Sequence, residues 1–204
     1  MNLVCLDLEG VLVPEIWIAI SQTTGIAELR LTTRDIADYD QLMRRRLQIL
    51  DEHHLTLGDL QGVVGTLSPL PEAKEFLDEL RSRTQVIILS DTFAEFAMPL
   101  MRKLTWPSLF CNNLVVGDGG RIIDYRLRQR DGKRRAVEAF RSIGFAVTAA
   151  GDSYNDIAML TAADRGILFR APAAIATQNP QFPSVTSYSD LLAEIGEAAL
   201  SQAH

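Results

Sequence analysis

Two carboxylates two positions apart, Asp7 and Glu9, close the apolar run Leu3-Val4-Cys5-Leu6 and are followed by Gly10. Side chains at i and i+2 of an extended segment leave the same face, so the pair projects into one space. Like charges held that close cost free energy unless a cation, a proton or hydrogen bonds compensate them. Ser90 ends a second apolar run, Val86-Ile87-Ile88-Leu89, and Asp152, Asn155 and Asp156 follow a third, Phe145 to Ala150. Lys133 opens the helix-forming stretch just before that third run. Acids, one hydroxyl and one lysine gathered in one place suit a Mg²⁺-assisted phosphate site, with oxygen ligands for a hard cation and donors for phosphoryl oxygens.

For these residues to meet, their segments must share an edge. The runs are short, continuous and rich in Val, Ile and Leu, as fully buried strands are. They alternate with amphipathic stretches, which predicts an α/β fold with a doubly wound, mainly parallel sheet that binds ligands at the strands' carboxyl ends. Strands are expected over 85–90, 145–150 and 165–169, and helices over about 92–104, 133–143 and 190–199, with a further one opening at Pro71. Leu114 to Tyr125, around Gly117-Asp118-Gly119-Gly120, reads as a small β-hairpin. Between the first two strands, 14–66 shows no strand pattern. It predicts helices from Pro14, over 39–50 with Thr33 or Asp35 as the cap, and over about 58–64. His53 and His54 fall at a helix end and carry no chemistry; Trp17, Trp106 and the methionines fit packing.

The chain has 204 residues, enough for a real core, and a formal net charge of -6. That balance argues against nucleic acid as the main partner, because phosphate-backbone binding needs clustered cations. Two cysteines, Cys5 and Cys111, make no disulfide framework and suit a reduced, cytoplasmic setting. No apolar run reaches membrane-spanning length, and the N-terminus lacks a signal-like segment.

Four segments carry a family resemblance. Asp7-Leu8-Glu9-Gly10-Val11, Ile88-Leu89-Ser90-Asp91-Thr92, Lys133, and Gly151-Asp152-Ser153-Tyr154-Asn155-Asp156 resemble, in order, the four motifs of the haloacid dehalogenase superfamily of phosphotransferases, within it the phosphoserine phosphatase group. The resemblance implies a Rossmann-like phosphotransferase core over 1–12 and 69–204 with a helical cap inserted over 13–68. It implies Asp7 as the nucleophile that becomes an aspartyl phosphate, and Glu9 as the group that protonates the leaving alcohol. Ser90, Lys133 and the main-chain N–H of Asp91 would bind the phosphoryl group. Mg²⁺ would be held by Asp7, the carbonyl of Glu9 and Asp152, with Asp156 steadying the metal's waters or Lys133. Asn155 would touch substrate or phosphate.

Two positions depart from the family pattern, which has Asp at Glu9 and Gly at Asp91. The Asp-Leu-Glu-Gly and Ser-Asp-Thr segments are similar to those of phosphoserine:homoserine phosphotransferases. The implied substrates are phosphoserine and homoserine, with Glu15 meeting the ammonium and Arg46 the carboxylate, which would put the enzyme in serine and threonine biosynthesis. The competing readings are a phosphatase of another small phosphomonoester, a receiver-like signalling domain and an inactive Mg²⁺-binding interaction protein. The oligomeric state is open.

Overall fold

Every residue of β1 (Asn2–Leu6) from Leu3 onward is buried, and alternate side chains serve opposite faces. Val4 and Leu6 join a core that includes Phe76, Leu77 and Phe96, whereas Leu3 and Cys5 join one that includes Val137, Met159 and Leu160. A strand apolar on both faces belongs in the middle of a covered sheet. The computed structural model, which describes residues 1–32, 35–36 and 38–201, places it there. The strands are β1, β2 (Gln85–Phe93), β3 (Ser108–Val116), β4 (Ile122–Arg126), β5 (Ala146–Gly151), β6 (Arg165–Phe169) and β7 (Ser184–Val185). Their order in the sheet is β4-β3-β2-β1-β5-β6-β7, and only the β3–β4 pair is antiparallel.

The helices are α1 (Ile16–Thr24), α2 (Tyr39–Glu52), α3 (Leu57–Thr66), α4 (Ala73–Arg83), α5 (Ala94–Lys103), α6 (Gly132–Ser142), α7 (Ile157–Ala162), α8 (Ala173–Gln178) and α9 (Tyr188–Ser201). The doubly wound α/β architecture is the expected one. Helices α1 to α3 fill the interval between β1 and α4 as anticipated. The expected capping of α2 is corrected: Asp38 accepts the Gln41 N–H at 2.8 Å, while Asp35 bonds back to Thr32. Thr33 lies outside the described residues. The predicted hairpin exists, yet it is no separate piece, because β3 pairs in parallel with β2 and carries β4 as the sheet's edge.

The helical block reaches that edge through polar contacts. Arg44 pairs with Asp124 at 2.9 Å, Arg121 with Asp51 at 2.6 Å, and the Tyr125 hydroxyl donates to Asp40 at 2.5 Å. Both cysteines are free, and burial pushes their thiols up to about 12 at Cys5 and about 11 at Cys111, so neither is nucleophilic near neutrality. Trp106, expected in packing, is instead 55% exposed in a left-handed backbone position. Among the described residues, no helix is long and apolar enough to cross a membrane.

Candidate active site

Asp7 directly follows β1, where its N–H still donates to the Ala150 carbonyl of β5 at 3.0 Å. One carboxylate oxygen, Oδ1, accepts the Leu8 N–H at 2.7 Å and lies 2.8 Å from Lys133 Nζ. The chain then turns at Gly10, whose φ of +76° is the left-handed region that glycine tolerates best. A Cβ at Gly10 would overlap the Asp152 carboxylate. Glycine is therefore what lets the loop after β1 close onto the loop after β5.

Lys133 stands in the first turn of α6 and is buried at 6% exposure between Asp7 and Asp156, each 2.8 Å from Nζ, with Asp91 at 4.0 Å. Burial alone would lower its pKa, but Asp156, Asp7 and Asp91 outweigh that and hold the ammonium well above its ordinary range. Asp156 is fully buried. Its second oxygen, Oδ2, accepts the N–H groups of Asp152 and Ser153 and the Ser153 hydroxyl, all at 3.1 Å. Both Asp156 oxygens are thus engaged, and a side chain at Gly151 would overlap its Cβ, Cγ and Oδ2. Asp156 frames the site and fixes Lys133.

Burial, and after it the charge of Asp156, raises Asp7 well above the usual carboxylate range, against the pull of Lys133. An acid so placed keeps its charge only with cations beside it. One carboxylate oxygen from each of Asp7, Asp152 and Asp156 lies within 4.8 Å of the others. An all-oxygen, all-carboxylate set fits a hard divalent ion such as Mg²⁺.

The opposite wall comes from the helical block. Glu9 directs Oε2 to the Ile16 N–H at 2.8 Å and so caps α1, which Glu15, just ahead of the helix, does not. Burial first, then Glu15, pushes the Glu9 carboxyl up to about 7, against smaller opposing effects from the Ile16 N–H, Arg46 and Lys133. Of the three consecutive arginines in α2, Arg44 is exposed in ion pairs while Arg46 is buried. The Arg46 guanidinium lies 4.4 Å from the Trp17 ring centroid and donates to the Leu31 carbonyl at 2.7 Å, yet its buried Nε has no hydrogen-bond partner among the described residues. Burial lowers its pKa to about 10. An orphaned buried N–H is costly, which marks this as a place where a ligand acceptor is expected.

Ser90 is buried in β2 and accepts the Thr92 N–H at 3.2 Å; it does not cap α5, which begins only at Ala94. The Asp91 side chain, 43% exposed, accepts from Asn155 Nδ2 at 2.9 Å. Its main-chain carbonyl takes two donors, the Tyr39 hydroxyl and Asn112 Nδ2, both at 3.2 Å. Asp7, Glu9, Glu15, Arg46, Ser90, Asp91, Lys133, Asp152 and Asn155 all line one cavity of about 600 Å³, and buried Asp156 lies behind it. Every sequence-derived candidate is therefore at or against one site. Trp17, expected to serve packing, also lines it, as does Tyr39, to which the sequence alone assigns no role.

Residues 1–164 match the family model described as haloacid dehalogenase-like hydrolase. Over 199 residues the chain is 57% identical to the phosphoserine phosphatase ThrH of Pseudomonas aeruginosa, covering 98% of this chain and 97% of that protein. It is 55% identical to a phosphoserine phosphatase of Pseudomonas syringae pathovar tomato, covering 98% of this chain and 84% of the relative. Among solved structures, a phospho-aspartyl intermediate analogue of phosphoserine phosphatase aligns with a TM-score of 0.76 at 23% identity, covering 94% of this chain and 97% of the other. That last likeness is one of fold.

Proposed function

This chain belongs to the haloacid dehalogenase-like hydrolase family, and on that footing we propose that it is a Mg²⁺-dependent phosphoserine phosphatase that also transfers the phosphoryl group to homoserine. The observation that carries the reading is the buried Lys133, shared at 2.8 Å by Asp7 and Asp156 at the sheet's carboxyl edge. Two relatives more than half identical are named phosphoserine phosphatases.

In this reading Asp7 attacks phosphorus, the bond to the serine oxygen breaks, and Glu9 protonates that oxygen. A carboxyl poised at about 7 suits such a donor near neutral pH. Glu9 then takes a proton from water or from the homoserine hydroxyl as that oxygen attacks phosphorus and frees Asp7. Lys133 and the Ser90 hydroxyl hold phosphoryl oxygens, and Asn155, fixed by Asp91, borders them. Mg²⁺, when bound by Asp7, Asp152 and the Glu9 carbonyl, supplies the positive charge that lets one anion approach another. The unpartnered Nε and the forked guanidinium of Arg46 suit the substrate carboxylate, and Glu15 the ammonium. Residues 13–68 serve as the cap that excludes bulk water.

Phosphorus NMR on protein incubated with Mg²⁺, phosphoserine and homoserine is the test. Phosphohomoserine and inorganic phosphate are both expected, neither with chelator or with Asp7→Asn. Phosphate alone would remove the transferase half. Turnover of other phosphomonoesters but not phosphoserine would move the assignment to a different small phosphate ester.

A further inference from the structure

One peptide unit links the helical block to the buried serine. The Asp91 carbonyl accepts from Tyr39, 52 positions away on α2, and the N–H of that same unit, on Thr92, donates to Ser90 Oγ at 3.2 Å. Asn112 supplies the carbonyl's second donor from β3. The carbonyl oxygen is thereby saturated and the plane of the unit is fixed from both ends. Because the serine oxygen already accepts the Thr92 N–H, and its hydroxyl donates to no described residue, the serine proton is left to point into the cavity that Ser90 lines.

We propose that Tyr39 is a positioning residue acting on Ser90 through the Asp91–Thr92 peptide, so that seating of the helical block sets the serine hydroxyl as a donor to the transferring phosphoryl group. Hydrogen bonds in series polarise one another: the Tyr39 hydroxyl draws density from the carbonyl, the Thr92 N–H becomes the stronger donor, and Ser90 gives up more of its own proton. The Tyr39 ring meets Tyr125 edge-on at 6.0 Å, so its body is packed independently of its hydroxyl. Tyr39→Phe removes the bond and keeps the packing.

The proposal rests on the phosphoryl-transfer reading of this site but not on phosphoserine as the donor, so the test uses an aryl phosphate, p-nitrophenyl phosphate. Four proteins are compared: wild type, Tyr39→Phe, Ser90→Ala and the double variant. Ser90→Ala loses a phosphoryl-oxygen donor, which lowers kcat by roughly a hundred- to a thousandfold. In the wild-type background Tyr39→Phe lowers kcat about five- to tenfold with KM little changed. In the Ser90→Ala background the same change costs under about twofold, because nothing is left for it to position. In the Phe variant the Thr92 amide exchanges faster with solvent, and amides of α4 do not. Equal losses in both backgrounds, or unchanged Thr92 exchange, would overturn the proposal. No turnover of either p-nitrophenyl phosphate or phosphoserine by the wild type would instead remove the functional reading beneath it.

Discussion

The two walls of the cavity are held by different physics. On the sheet side, Asp7 and Asp156 are buried and joined through Lys133, and Gly10 and Gly151, which admit no larger residue, press on Asp152 and Asp156. On the helical side, the polar ties to the β4 edge include Arg44–Asp124, Asp51–Arg121 and Asp40–Tyr125, all between exposed or half-exposed groups. Burial makes the first set expensive to break, whereas water and side-chain entropy leave each of the second worth little. The wall that holds the reacting atoms is fixed by buried ion pairs, whereas the wall proposed to read the substrate is seated on a shared apolar core, where the Trp17 ring meets Phe96 at 5.4 Å, and adds only weak polar ties at the sheet's edge.

The contrast is broken most severely at Asp156. Asp156→Ala takes from Lys133 one of its two carboxylates at 2.8 Å and removes the acceptor of the Asp152 and Ser153 N–H groups, so a loss of roughly 3–5 kcal/mol is expected in urea unfolding; a loss under about 1 kcal/mol would deny the buried wall its rigidity. On the other side, Arg46→Ala should lower kcat/KM for phosphoserine roughly ten- to a hundredfold more than for an aryl phosphate. Equal losses would make that wall structural only.

Glu9 joins the walls, and its effect is visible in pH. Its carboxyl titrates at about 7 in the fold against an ordinary 4.5, so folding favours the protonated form. The stability this gives is complete below 4.5 and is lost as pH rises through about 7. Glu9→Gln still accepts the Ile16 N–H and carries no charge. In chelator its Tm should therefore exceed that of wild type near pH 8, with the gap closing toward pH 4.5. The smallest effect belongs to the exposed ties: Arg44→Ala should cost under about 1 kcal/mol at low salt and nothing measurable at high salt.

How much of this was legible in the sequence follows the same division. The acids after β1 and β5, the serine of β2 and the lysine of α6 were readable because strand period and strand ends fix where such residues go. The helical block was legible as helices between β1 and α4, but not in how it touches the core. Asp38 outcompeted Asp35 as a cap through backbone geometry that spacing does not carry. Tyr39 touches Asp91 across 52 residues, and no local pattern announces such a contact. Strand β7, two residues long, and short α8 lack the length for any period to show. Glu9 was assigned to proton transfer, yet its bond to Ile16 depended on the entry angle of α1.

The position of β1 has a consequence for biosynthesis. It emerges from the ribosome ahead of both neighbours in the sheet, since pairing requires Gln85 to Ile88 on one side and Ala146 to Ala150 on the other. During translation the nascent Leu3-Val4-Cys5-Leu6 segment, apolar on both faces, must wait for residues 85–88 to cover one edge and for residues 146–150 to cover the other. Such long-range closure is slow and leaves a sticky intermediate. Production of this protein should accordingly be more sensitive to chaperone supply than to the stability of the finished fold.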